Sequence, residues 1–115
     1  MKIKDIAELL DATFVTGESH AEEEIDFGFA SDLMSDVLTL KQSDRILLLT
    51  GLCNIQTIRT AEMANIEVVL FVRNKSVTNE MIEIAEEENM VLLQCKYSLF
   101  RAVGMLYSKG LSPIF

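Results

Sequence analysis

The chain has 115 residues, half of them apolar, with ten Lys and Arg against eighteen Asp and Glu for a net charge of −8. With one Pro, five Gly, two Cys and no low-complexity stretch, this composition excludes a disordered chain, a collagen and a disulfide miniprotein. It fits one domain spanning residues 1–115, with a radius of gyration of roughly 13 Å. Ile3, Ile6, Leu9 and Leu10 repeat at helical spacing, so the chain opens with an amphipathic helix. Thr13 to Thr16 reads as a short strand closed by Gly17, and Glu18 to Glu24 as a polar loop holding the only His, His20. Ile25 to Phe29 alternates like a half-buried strand. Ser31 and Asp32 then read as the cap and first turn of a helix carrying Leu33, Met34, Val37, Leu38 and Leu40.

The second half has the clearest pattern. Strands at Arg45–Leu49, Glu67–Val72 and Val91–Cys95 are apolar on both faces, and each precedes a helix: about Ile55–Asn65, Thr78–Glu88 and Leu99–Ser108. Gly110 and Pro113 end the last helix. Doubly buried strands with helical crossovers make right-handed βαβ units. The predicted fold is therefore an α/β three-layer sandwich, with a mostly parallel central sheet and helices on both faces. The direction of the two early strands is not legible.

In such folds ligands bind beyond the carboxyl ends of the parallel strands. Three loops converge there: Thr50–Asn54, Arg73–Thr78 and Cys95–Ser98. Gly51, Asn54, Arg73, Lys75 and Lys96 are the candidate ligand-binding residues, for a nucleotide or another anion at helix starts. The alternative is that they are ordinary loop residues that cap helices or pair with the acidic surface. Cys53 and Cys95 end equivalent strand–helix units. They read as small buried hydrophobes, or as thiols of which Cys53, near a helix start, has a lowered pKa. His20 reads as a solvated side chain, so no catalytic residue is named. No P-loop and no G-x-G-x-x-G string is present, and no motif calls for a metal or a cofactor. The expectation is thus that the chain is not an enzyme.

The runs Glu22–Glu24 and Glu86–Glu88 read as solvated surface. A net charge of −8 disfavours nucleic acid and anionic membranes as partners. No apolar run approaches the about 20 residues of a membrane span, and the opening residues are not an apolar signal core. A cytoplasmic location with reduced thiols follows. Met34, Met63, Met81 and Met105 fall within helices and read as core or interface packing. Leu99, Phe100, Val103, Met105, Leu106 and Tyr107 surround much of the last helix, and Leu111–Phe115 is largely apolar. One face packs on the sheet. The surplus needs a partner, most simply a second copy in a homodimer.

Several strings resemble the DRTGG domain family, whose fold is related to the N-terminal domain of bacterial HPr kinase/phosphorylase. They are Met1–Leu10 with Phe14–Gly17, Ala30–Leu38, Thr50–Thr57 where that family has a Gly-Asp-Arg-type turn, and Phe71–Lys75 where it has a Thr-Gly-Gly-type turn. Gly51 lacks the following Asp-Arg, and the Thr-Gly-Gly letters are absent near Arg73. The resemblance implies a regulatory or dimerising module of the kind attached to phosphotransacetylases or pyrophosphatases, beside nucleotide-sensing domains. Free-standing copies are similar to small proteins encoded near iron-only hydrogenases in anaerobic bacteria, which implies an enzyme partner in such metabolism. Phosphotransfer in HPr kinase belongs to a separate P-loop domain.

Overall fold

Alternation within the apolar strands decides the architecture. In the computed structural model, which describes residues 1–40 and 44–115, β3 (Ile46–Thr50), β4 (Val68–Phe71) and β5 (Val91–Gln94) form the middle of a six-stranded sheet. Leu47, Leu49, Val68, Leu70, Val91 and Leu93 point to one face, under α1 (Ile3–Leu9) and α5 (Leu99–Ser108). Ile46, Leu48, Val69, Phe71 and Leu92 point to the other, under α2 (Met34–Val37), α3 (Ile55–Met63) and α4 (Asn79–Glu87). Each fully buried side chain of this kind contributes about 1.5–3 kcal/mol, so a core on each face holds the helices in place. The result is the expected three-layer α/β sandwich, with a Cα radius of gyration of 12.4 Å.

The strand order is β1-β5-β4-β3-β2-β6, with β1 at Thr13–Thr16, β2 at Phe27–Ala30 and β6 at Ser112–Pro113. All pairings are parallel except that of β1 with β5. The directions that periodicity leaves open are these: β2 runs parallel to β3, with α2 between them in the chain, whereas β1 closes the far edge antiparallel to β5. The β1 register shifts between Phe14 and Thr16. There the buried Thr16 hydroxyl substitutes for backbone, donating to the Met90 carbonyl at 2.8 Å and accepting from the Leu92 amide at 3.1 Å.

Three expectations are corrected. The second helix is a single turn capped at Leu33, not a helix from Ser31. The Ser31 hydroxyl accepts from the Leu33 amide in a local turn, and Asp32 bonds to the start of the next loop instead of a helix turn. Ser112–Pro113 is a short edge strand beside β2, where Phe27 pairs with Ser112 and Gly28 with Pro113. The missing Pro amide is tolerated because β6 is the outermost strand. The polar stretch after Gly17 includes a 3₁₀ turn at Glu18–His20.

The helices on the two faces end alike. Ala12, Ile66, Met90 and Leu111 each donate a backbone N–H to the carbonyl five residues earlier, and the residue before each, Asp11, Asn65, Asn89 or Gly110, has positive φ. This is the Schellman ending, with an apolar residue turning back into the core. Ile66, Met90 and Leu111 are all buried.

Candidate functional site

Three helices start at the same end of the sheet, each capped by its own sequence. The Asn54 amide oxygen accepts from the Thr57 amide at 2.9 Å and the Thr57 hydroxyl at 3.0 Å. The Thr78 and Ser98 hydroxyls accept from Met81 and Arg101, both at 3.2 Å. The loops that lead into these helices are tied to one another. The Cys53 thiol donates to the Ser76 carbonyl at 3.4 Å, joining the first loop to the second. The Arg73 amide donates to the Tyr97 carbonyl at 2.8 Å and the Asn74 amide to the Cys95 carbonyl at 2.9 Å, joining the second to the third. All five candidate residues therefore sit on one linked group of loops beyond the carboxyl ends of β3, β4 and β5.

Arg73 and Asn74 both have positive φ, 62° and 55°. An L residue there costs roughly 1–2 kcal/mol, and two successive amides are turned toward the third loop in return. This is a backbone on which a Gly-Gly pair would be unstrained. Arg73, Lys75 and Lys96 are exposed, and none is in an ion pair among the described residues. The Lys and Arg side chains that do pair, Lys2, Lys4 and Arg45, take Glu22, Glu23 and Glu67 as partners. The Arg101 guanidinium lies 4.6 Å from the centre of the Tyr97 ring, a cation–π contact beside the third loop.

One residue in this group was not legible as part of it. The Asp32 carboxylate reaches from the end of β2 to accept from the Gly51 amide at 2.8 Å and the Thr50 hydroxyl at 3.0 Å. The Gly51 N–H is thereby committed, and Asn54 is committed to its cap. Of the five candidates, Arg73, Lys75 and Lys96 are left with exposed side chains outside any ion pair among the described residues. An Asp that reads locally as a helix first turn gives no signal for this longer reach.

The thiols depart from expectation. Burial pushes the Cys53 thiol up, and nearby Lys75 offsets this only in part; the lowered pKa anticipated for Cys53 is therefore reversed. Burial also raises Cys95, partly offset by a hydrogen bond from the Tyr97 backbone. His20 is only partly exposed and bonds to Glu23, which also pairs with Arg45. These contacts, His20 first, lower the Glu23 pKa. His20 lines a polar hollow with Glu62, Glu67 and Glu88, at the amino end of the sheet. Among the described residues no group of three His, Cys, Asp or Glu is placed to hold a metal ion, and no helix is long and apolar enough to cross a membrane.

A second feature is apolar. Between α5 and the β2–β6 edge lies a groove of about 210 Å³, lined by Phe29, Ala30, Val103, Tyr107, Ile114 and Phe115 among others. It opens because β2 offers only Gly28 and Ala30 toward α5; a Cβ on Gly28 would stand 3.0 Å from Leu111 Cδ2. Phe29 and Phe115 meet edge to face with ring centres 6.1 Å apart. Phe100, Tyr107 and Phe115 are 91%, 66% and 87% exposed. Of the methionines, Met34 and Met81 are core, Met105 is half-buried against it, and Met63 is exposed.

No protein-family model matches the sequence, and no curated protein matches it. Solved structures do match the fold. One is the CBS and DRTGG domains of the regulatory region of a Clostridium perfringens pyrophosphatase, crystallised with its activator diadenosine tetraphosphate. It superposes with a TM-score of 0.70 at 13% identity, covering 91% of this chain and 45% of that one. The chain thus spans less than half the length of that neighbour. At this identity the likeness is one of architecture: the chain has the α/β fold found in that CBS–DRTGG region.

Proposed function

We propose that this chain is a regulatory rather than catalytic module, and that it works as a pair of identical copies. The observation that carries this reading is the unpartnered apolar surface of α5 and the residues after it, where Tyr107 and Phe115 lie exposed beside an apolar groove and Phe100 lies exposed beside a second hollow on the other flank of the helix. Monomers rarely leave such a patch in water, and self-association is the commonest way to cover one. A regulatory role is supported by the neighbour of the same fold, which belongs to the regulatory region of an enzyme. The family resemblance extends this to a larger metabolic or redox enzyme as the regulated partner. The test is thermal unfolding at protein concentrations spanning a hundredfold. Two-copy folding raises Tm with concentration; a constant Tm contradicts it.

A second reading adds a ligand, and the free cationic loops favour it. Arg73, Lys75 and Lys96 are exposed on linked loops beyond the carboxyl ends of the sheet, in a chain of net charge −8. The neighbour's activator is a nucleotide polyphosphate. Adenine nucleotides and simple anions, each supplied at about 100 times its Kd, should stabilise by about 2.7 kcal/mol. The shift should vanish when Arg73 and Lys75 are both replaced by Ala. No shift with any of them contradicts this reading and leaves the first untouched.

A further inference from the structure

The glycine in α5 is unexplained by the chain's own fold. Gly104 lies mid-helix, where Gly is disfavoured relative to Ala. Its φ is not in the left-handed region, and a Cβ built on it would meet nothing within 4 Å. Gly17 and Gly28 are different: there a Cβ would stand 2.7 Å from Val91 Cγ2 or 3.0 Å from Leu111 Cδ2. A residue that costs helix stability and relieves no internal contact is suited to close approach by a backbone from outside.

Gly104 is also central to the exposed stripe. Phe100 is four residues before it and Tyr107 three after, so all three share one helix face. On one flank lies the groove lined by Val103 and Tyr107. On the other lies a shallow hollow lined by Leu9, Phe100, Arg101, Gly104 and Met105. We infer that α5 crosses the α5 of a second copy at Gly104. A two-fold contact of this kind is self-complementary, and centred on Gly104 it brings Phe100 of each copy beside Tyr107 of the other. The hollows flanking Gly104 receive those rings, and helices cross closest where the contact residue is small.

The area is consistent with a second copy as occupant once both flanks of α5 are covered. Taking about 200 Å² per aromatic side chain, Phe100 and Tyr107 expose about 300 Å² at their observed fractions, and Phe115, which lies past α5 across the groove from Tyr107, adds about 170 Å². Two copies that cover the groove as well as the crossing then remove about 1,000 Å² before any rim is counted, against the lower bound of about 1,200 Å² for a stable pair. The crossing also leaves the cationic loop side chains Arg73 and Lys75 outside the contact, since they belong to the β4–α4 loop and not to α5.

This inference rests on the two-copy reading, and Gly104→Leu separates the two. Leu is a good helix former and adds apolar surface. A merely greasy face would therefore associate more tightly in the Gly104→Leu variant, whereas a close crossing at Gly104 would be pushed apart. Sedimentation equilibrium should show the native chain as a dimer, with Gly104→Leu weakening association at least about a hundredfold and Gly104→Ala by less in the same direction. At concentrations where every variant is monomeric, both variants should melt above the native chain. A native dimer whose dissociation constant is unchanged or lowered by Gly104→Leu overturns the crossing while leaving the two-copy reading intact. A native chain that stays monomeric at about 100 µM overturns both.

Discussion

Thr16 shows how one side chain can replace backbone. Its hydroxyl closes the gap that the β1 bulge opens against Met90 and Leu92. Thr16→Val keeps the shape but leaves a buried donor and acceptor unpaired, so a loss of about 1–3 kcal/mol in urea unfolding is expected. A change under about 0.5 kcal/mol would mean that water reaches those groups. The thiols give a second residue-level expectation. Burial raises both pKa values, so less thiolate is present at neutral pH than in a free thiol. Iodoacetamide should label native Cys53 and Cys95 well below the rate in the urea-unfolded chain, and Lys75→Ala should slow Cys53 further. Labelling of Cys53 in native protein as fast as in unfolded chain would contradict this. These details were beyond sequence reasoning because each depends on a contact over dozens of residues: Thr16 with Met90, Cys53 with Ser76.

At the scale of elements, the doubly buried strands and their helices were readable because burial on both faces leaves an uninterrupted apolar run. In the structure each of these helices is capped by a side chain of its own loop, Asn54, Thr78 or Ser98. The helix ends were readable only at Gly110. Asn65 and Asn89 do the same work with a side chain that tolerates the left-handed region, yet they look like ordinary polar residues in a sequence. Asn89→Gly should therefore hold or slightly raise stability, while Asn89→Ala should lose about 1 kcal/mol. Equal stability of the two would show that the ending is not strained. The single-turn α2 and the edge strand β6 are not legible in the sequence because Ser31 and Asp32 make their hydrogen bonds outside a helix, and because a two-residue strand has no period. The candidate loops were legible as a place, through the βαβ rule, but Asp32 was not, since its link to Gly51 crosses between strands.

For the molecule as a whole, charge is unevenly used. Glu22 accepts hydrogen bonds from both Lys4 and Lys2, which hold its pKa at about 2. With the folded pKa below the ordinary value, this pairing stabilises the fold above about pH 4.5 and is lost as pH falls toward 2. Glu22→Gln should flatten the acid limb of the stability curve in that window. Because the pair is exposed, the difference should shrink in about 0.5 M salt. An acid limb identical in both proteins at low salt would contradict it. Arg73, Lys75 and Lys96 remain outside such pairs among the described residues, while the most exposed aromatic side chains, Phe100, Tyr107 and Phe115, lie on α5 and the residues after it. The molecule thus presents exposed cationic side chains on linked loops and an apolar helix face, and the second is the more demanding of a partner. Sedimentation velocity of the unmodified chain at micromolar concentration is the most direct test. A two-copy molecule should sediment as one species at about twice the 12.9 kDa chain mass, dissociating on dilution; a single 12.9 kDa species at every concentration up to about 100 µM would contradict it.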